Sequence, residues 1–129
     1  MTENPQRKPA LLLLEDEAEL AAVTCVTLDD EFEIETAANV AEARLLLASR
    51  QFDVLVCDHL LPGRAQGLDF LVEALTLQPK ARRILLTGYM NPELISRSVS
   101  VAQLSACLIK PISPESLRRT LHEILALDV

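Results

Sequence analysis

A chain of 129 residues and 14.2 kDa has the size of one domain around one core, and a half-hydrophobic composition with mean hydropathy +0.23 excludes a disordered or low-complexity polymer. Twelve basic against nineteen acidic residues leave a net charge of −7, which repels a nucleic-acid backbone, and one tyrosine, three phenylalanines and no tryptophan offer no platform for stacking bases. The longest purely apolar run, Ala10 to Leu14, is far short of the ~20 residues of a membrane span, and no apolar signal core follows the polar start, so a cytoplasmic protein without membrane or direct nucleic-acid partners is expected.

Residues 1–9 (MTENPQRKP) are polar, carry two prolines and show no periodicity; a flexible tail is expected there, ahead of a single domain over 10–129. The first strand segment is ALLLLE (10–15), and a helix is expected over Glu17–Leu28. FEIET (32–36) alternates Phe32, Ile34 and Thr36 with Glu33 and Glu35, the pattern of a strand with one wet face near a sheet edge, before a helix over Val40–Ser49. DVLVC (53–57) is followed by a helix over Leu68–Leu77, whose Leu68, Leu71, Val72 and Leu75 form one stripe. RILLT (83–87) precedes a helix over Pro92–Ala102, where Ser96, Ser98 and Ser100 interrupt the stripe and predict weaker packing. ACLI (106–109) leads into a helix over Pro114–Leu127 with Leu117, Leu121, Ile124 and Leu125 on one face and His122 read as an ordinary surface residue. Asn91-Pro92-Glu93 and Ser113-Pro114-Glu115 are matching start signals: a capping side chain, a proline where no N–H is needed, and a carboxylate at the positive helix end. Cys25, Cys57 and Cys107 are widely spaced in apolar contexts and read as buried free thiols.

Strands alternating with helices specify an α/β fold with a parallel sheet, and in such a sheet every strand delivers its last residue to one edge, where ligands bind. The strand ends here are Glu15-Asp16, Asp58, Thr87 and Lys110-Pro111. Each alone has an ordinary explanation as a helix-opening carboxylate, a loop cap or a solvated lysine. Three carboxylates, a hydroxyl and an ammonium delivered together by four strands do not arise from surface drift. A carboxylate can form an acyl phosphate, and drawing a phosphoryl dianion into an acidic pocket requires a divalent cation, for which Glu15 and Asp16 offer a seat.

Through LLLLEDE, DVLVCDHLLPG, RILLTGY and CLIKP, in that order over residues 10–127, the chain resembles the CheY-like receiver domains of two-component response regulators. The resemblance implies a five-stranded parallel sheet of order 2-1-3-4-5, doubly wound with helices on both faces as in flavodoxin. It implies Asp58 as the phosphoacceptor, phosphorylated by a sensor histidine kinase or phosphotransfer protein, with Thr87 and Lys110 as the other reacting-site groups. It further implies Mg²⁺, with Mn²⁺ as a substitute, bound by Asp16, Asp58, the Leu60 backbone carbonyl and, through water, Glu15. Such a domain is not an enzyme beyond catalysing its own phosphorylation and dephosphorylation. Its output would be a switched face of helix four, strand five and helix five that binds an effector or output domain or a second copy, with Leu94, Val101 and Leu104 as candidate contacts. A cis Lys110-Pro111 bond also follows from the resemblance.

Three departures mark this chain. Glu15 stands where many receivers have aspartate, and the loop from Leu61 to Gly67 is one residue longer than the commonest pattern. Cys107 occupies the position of the usual inward-turning Tyr or Phe. Leu60 and Tyr89, bulky at positions that tune access of the hydrolytic water, imply slow self-dephosphorylation, and strand alternation points His59 away from the chemistry. An aspartyl phosphohydrolase would need a second carboxylate where Leu60 stands. A nucleotide or flavin site would need a glycine-rich loop in place of Glu15-Asp16-Glu17. The alternative left open is a phosphorylation-independent, receiver-like interaction module.

Overall fold

The computed structural model describes residues 7–59, 67–88 and 92–126, apart from the side chains of Pro92 and Leu94. The short apolar runs become the parallel strands β1 (Ala10–Leu14), β2 (Glu33–Ala37), β3 (Val54–Asp58), β4 (Arg82–Thr87) and β5 (Ala106–Ile109), in the order β2-β1-β3-β4-β5. Between them run α1 (Ala18–Leu28), α2 (Val40–Ser49), α3 (Gly67–Leu77), α4 (Pro92–Ala102) and α5 (Pro114–Leu125). Strand alternation divides the core. Leu12, Leu14, Leu55, Cys57 and Leu85 point to the side of α2, α3 and α4, where they meet Leu47, Phe70, Leu71 and Ala102. Leu11, Leu13, Val54, Val56, Ile84 and Leu86 point to the other side and meet Leu28 of α1 and Leu117 and Leu121 of α5. Dry residues on both faces are what a doubly wound parallel sheet demands, and the expected fold class is the one observed.

Boundaries differ from the sequence reading by a residue or two. β1 stops at Leu14, so Glu15 lies just beyond it, and Glu17 takes the N-cap position of α1 without a side-chain cap. β2 starts at Glu33; Phe32, which was expected in the strand, is buried beneath it, while Ile34 is half-buried and Thr36 exposed on this edge strand. Asp53 lies just ahead of β3; its backbone bonds to Ala10 O and the Arg82 N–H, and its carboxylate accepts the Ala10 N–H at 2.7 Å. α3 begins at Gly67 rather than Leu68, and α5 ends at Leu125 because Ala126 turns left-handed with φ 53°. Leu127 lies outside the described residues.

Three buried polar groups tie the layers together. Gln78, 3 % exposed, donates to Leu47 O at 3.0 Å and Arg50 O at 2.7 Å and accepts the Phe52 N–H at 2.8 Å, satisfying the end of α2 and the approach to β3. His122 is not the surface residue expected: it is 7 % exposed and its Nε2 lies 2.8 Å from Glu31, whose carboxylate also accepts Arg118 Nε, joining α5 to the turn before β2. Arg83, on β4, is buried under the end of α4. α4 itself buries small side chains, Ser98 and Ala102, and leaves Val99 and Val101 exposed, so Ser98, expected to interrupt the stripe, lies on the buried face and Val99 does not. Leu104, expected at the surface, belongs to the core. Cys57 is buried, whereas Cys25 and Cys107 are only half-buried.

Candidate functional site

The register brings the strand ends level. Leu14 pairs with Cys57, Asp58 with Leu86, and Thr87 with Ile109, so the residues after β1 and β5 emerge beside the last residues of β3 and β4. The strand order reverses between β1 and β3, and the site lies there, at the switch point. The Glu15 N–H continues the sheet by donating to Ala37 O at 3.0 Å, and the Glu15 carboxylate accepts the Glu17 N–H at 3.2 Å, which folds it back over the start of α1. Asp16 beside it is exposed. Asp58 is 6 % exposed, and carboxylate oxygens of Glu15, Asp16 and Asp58 all lie within 4.8 Å of one another.

Lys110 supplies the opposite charge. Its N–H donates to Thr87 O at 2.7 Å and its Nζ donates to Asp58 Oδ2 at 2.8 Å, across the cis Lys110-Pro111 turn that the resemblance implied. Thr87, at the end of β4, is fully buried. The structure thus brings together five predicted groups, Glu15, Asp16, Asp58, Thr87 and Lys110. The predicted backbone ligand Leu60, as well as Tyr89 and the Leu94 side chain, lies outside the described residues.

The electrostatics follow from one ammonium facing three carboxylates. Burial pushes the Glu15 carboxyl above its ordinary value, and the charges of Asp58 and Asp16 add to this, against the Glu17 N–H and Lys110. Burial works against the Lys110 ammonium, but the hydrogen bond and charge of Asp58, with Glu15 and Glu17, outweigh it and raise its pKa. The Cys57 thiol beneath Asp58 is pushed up by burial and by the Asp58 and Glu15 charges, which makes it an inert packing group. Hard carboxylate oxygens clustered without a matching number of cations are the donor set of a hard divalent ion such as Mg²⁺. An apolar-floored cavity of about 340 Å³ opens beside the site between α1 and the turn after β5, with Glu15, Glu17 and Lys110 on its wall and Leu13, Leu86 and Leu117 below.

Sequence reasoning missed one positioning residue. A Cβ on Gly67 would stand 1.9 Å from Asp58 O, and the Gly67 N–H donates to His59 O at 2.8 Å, so α3 can start against the backbone of the acidic strand end only with glycine there. The clue was a glycine opening a helical stripe nine residues after Asp58. His59 is buried, and its N–H joins Leu86 O at 2.8 Å.

Comparison with known proteins adds three findings. Residues 11–122 match the family model described as the response regulator receiver domain. The hydrogenase transcriptional regulatory protein HoxA of Cupriavidus necator is 32 % identical over 117 residues, 91 % of this chain; the chain spans about a quarter of the length of the curated relatives it matches, 24 % in this case. Among solved structures, a CheY-like receiver domain protein from Methanospirillum hungatei superposes with a TM-score of 0.85 at 26 % identity, covering 93 % of this chain and 95 % of that one. A response regulator from Burkholderia pseudomallei, solved with a phosphorylated aspartic acid, calcium ion and citrate, superposes with a TM-score of 0.79 at 27 % identity, covering 92 % of this chain and 72 % of that one.

Proposed function

The chain belongs to the response regulator receiver domain family, and from that premise we propose that it is a phosphorylation-controlled switch whose Asp58 carboxylate accepts a phosphoryl group. The observation that carries this reading is the buried Asp58 carboxylate held at 2.8 Å by the Lys110 ammonium beside Glu15 and Asp16. The donor is a phosphohistidine on a sensor kinase or phosphotransfer protein. Asp58 attacks phosphorus, the phosphorus–nitrogen bond breaks as the phosphorus–oxygen bond forms, and the imidazole leaves with the electron pair. Lys110 passes its hydrogen bond from the carboxylate to a phosphoryl oxygen, and the Thr87 hydroxyl binds another. Glu15, Asp16 and Asp58 are the residues that would hold Mg²⁺, or Mn²⁺ in its place, which when bound neutralises the carboxylates and the incoming dianion. The Burkholderia relative, with its phosphorylated aspartic acid and calcium ion, supports both assignments by analogy.

Drawing Thr87 toward the phosphoryl group shifts the end of β4 and with it α4, which changes the face of α4, β5 and α5 offered to an effector, an output domain or a second copy. The exposed Val99 and Val101 lie on that helix. An output domain on the same chain fits the much longer HoxA relatives. The domain so described turns over nothing but its own phosphoryl group, in the cytoplasm. Cys107 favours a second reading, an interaction module that works without phosphorylation, because a half-buried thiol stands where the family has its inward-turning aromatic.

Intact mass after incubation with acetyl phosphate and Mg²⁺ separates the two. One added phosphoryl group, absent without the cation and absent in Asp58→Asn, is the expected result. No adduct on the unaltered chain refutes the relay and leaves the interaction module.

A further inference from the structure

Arg83 is a buried cation far from the acidic site. It is 6 % exposed, its Nε donates to Ala102 O at 2.9 Å, its Nη2 donates to Gln103 O at 3.2 Å, and its Nη1 donates to Ala81 O. Those first two acceptors are the last carbonyls of α4 and its exit. Gln103 turns left-handed at φ 50°, and the Leu104 N–H closes back on Val99 O at 3.2 Å, which leaves the carbonyls of 102 and 103 for the guanidinium. A cation at this end also faces the negative pole of the helix. Burial draws the Arg83 pKa down, and arginine stays charged regardless.

Position on the strand gives the clamp its meaning. Arg83, Leu85 and Thr87 alternate onto the same face of β4, the face that α3 and α4 cover. Four residue steps of strand take Arg83 to Thr87, roughly 13 Å. The eleven residues of α4 span roughly 16 Å, and the helix end returns to the start of β4 at Arg83. One strand therefore holds the buried hydroxyl of the acidic site at one end and the fastening of α4 at the other. The neighbouring Arg82 points to the opposite face and reaches Ile124 O of α5 at 3.3 Å from an exposed position, a looser version of the same contact.

We propose that Arg83 is the fixed end about which α4 pivots, so that a pull on Thr87 displaces the first turns of the helix and leaves its last turn in place. The pivot rests on the phosphorylation reading above; the clamp does not. Small side chains on the buried face, Ser98 and Ala102, suit such a motion because they set no deep interdigitation for the helix to climb out of.

Hydrogen exchange read by mass spectrometry on the whole chain tests both, with Mg²⁺ alone and with Mg²⁺ plus acetyl phosphate, uptake being followed by intact mass. In the unaltered protein, phosphorylation changes exchange at least threefold over 93–97 and less than twofold over 100–104. In Arg83→Met, the 100–104 amides exchange at least tenfold faster before any phosphodonor is added, and phosphorylation then affects the whole helix. Arg82→Met leaves α4 unchanged. A uniform response along α4 in the unaltered protein overturns the pivot, and so does an Arg83→Met helix whose last turn exchanges within twofold of the unaltered one. Should Arg83→Met unfold, Arg83→Lys, with the charge but not the fork of donors, is read instead, and a last turn unchanged in it overturns the clamp. Absence of a phosphoryl adduct on the unaltered chain overturns the relay and the pivot together, while faster exchange in Arg83→Met would then still establish the clamp.

Discussion

Glu15→Gln is the sharpest single test of the acidic site. The side chain is buried, its carboxylate lies within 4.8 Å of those of Asp16 and Asp58, and burial together with those charges opposes its ionisation. At an effective dielectric of 20, two like charges at that separation repel by about 3.5 kcal/mol. Lys110, hydrogen-bonded to Asp58, offsets much of this, and exposure of Asp16 screens its share, which leaves on the order of 1 kcal/mol of net destabilisation from the Glu15 charge. Glutamine keeps the shape and an oxygen for the Glu17 N–H, so thermal unfolding at neutral pH in EDTA should show the variant more stable by about 1 kcal/mol, roughly 4 °C. The cation reverses the comparison. At a Mg²⁺ concentration one hundred times the dissociation constant the unaltered protein gains about 2.7 kcal/mol. A variant with affinity weakened about tenfold gains about 1.4 kcal/mol at the same concentration, which erases its advantage. A Glu15→Gln protein that is less stable in EDTA, or that gains as much from Mg²⁺ as the unaltered one, refutes the reasoning.

Gly67→Ala should cost at least about 2 kcal/mol of unfolding free energy, because its Cβ would meet Asp58 backbone at 1.9 Å, whereas Gly88→Ala, with nothing within 4 Å, should change it by less than about 0.5 kcal/mol; equal midpoints in urea would refute the close-approach argument. Gln78→Leu strands two buried backbone groups and one half-buried carbonyl and should cost about 3 kcal/mol by the same measurement. The Glu31 carboxyl is held below its ordinary value of 4.5 by the Arg118 hydrogen bond, which outweighs the opposing effect of burial, and in smaller measure by His122. Its folded pKa is the lower one, so the stabilisation is fully present above the unfolded value and is lost as pH falls through the folded one. The stability gap between the unaltered protein and Glu31→Gln should therefore close on acidification below about 4.5, as read from urea midpoints across pH; a gap that persists in acid would sink it.

What was legible in the sequence was what depends on local period and on strand ends. Continuous apolar runs such as Leu11–Leu14 and Val54–Cys57 identify strands covered on both faces, and a strand's last residue has a fixed destination in a parallel sheet, so Glu15, Asp58, Thr87 and Lys110 could be placed together without coordinates. Ser113 and Pro114 marked a helix start because a cap acts within three residues of itself, and Asn39 caps α2 in the same way without having been singled out. The illegible part is the set of side chains whose partners are distant in sequence. Gln78 serves carbonyls 28 and 31 residues away, Arg83 those 19 and 20 away, and His122 a carboxylate 91 away. A polar residue carries no mark of such a partner, and composition alone favours the surface for each of them. His122 was misread for that reason. Its neighbours Leu117 and Leu121 showed the buried stripe, but only the turn at Glu31 decides that the flank of the stripe is buried as well.

Cys107 is where local and global information pull apart. β4 and β5 pair Leu85 with Cys107 and Thr87 with Ile109, so the thiol lies on the same sheet face as Thr87, one pair below it, beneath α4. An aromatic ring there would fill the space between strand and helix and could swing; a thiol is small, has one rotatable bond and packs in place. Ser98 and Ala102 on α4 are small and fully buried, so the buried face of the helix carries no bulky side chain in place of the ring. A short helix fastened at its last turn has few ways to respond. It can be lifted at one end while the other is held, and the held end is where Arg83 takes the carbonyls of Ala102 and Gln103. Under the proposed relay, coupling between Thr87 and the face of α4, β5 and α5 would run through the backbone of β4 and the two ends of α4, with no ring to carry it.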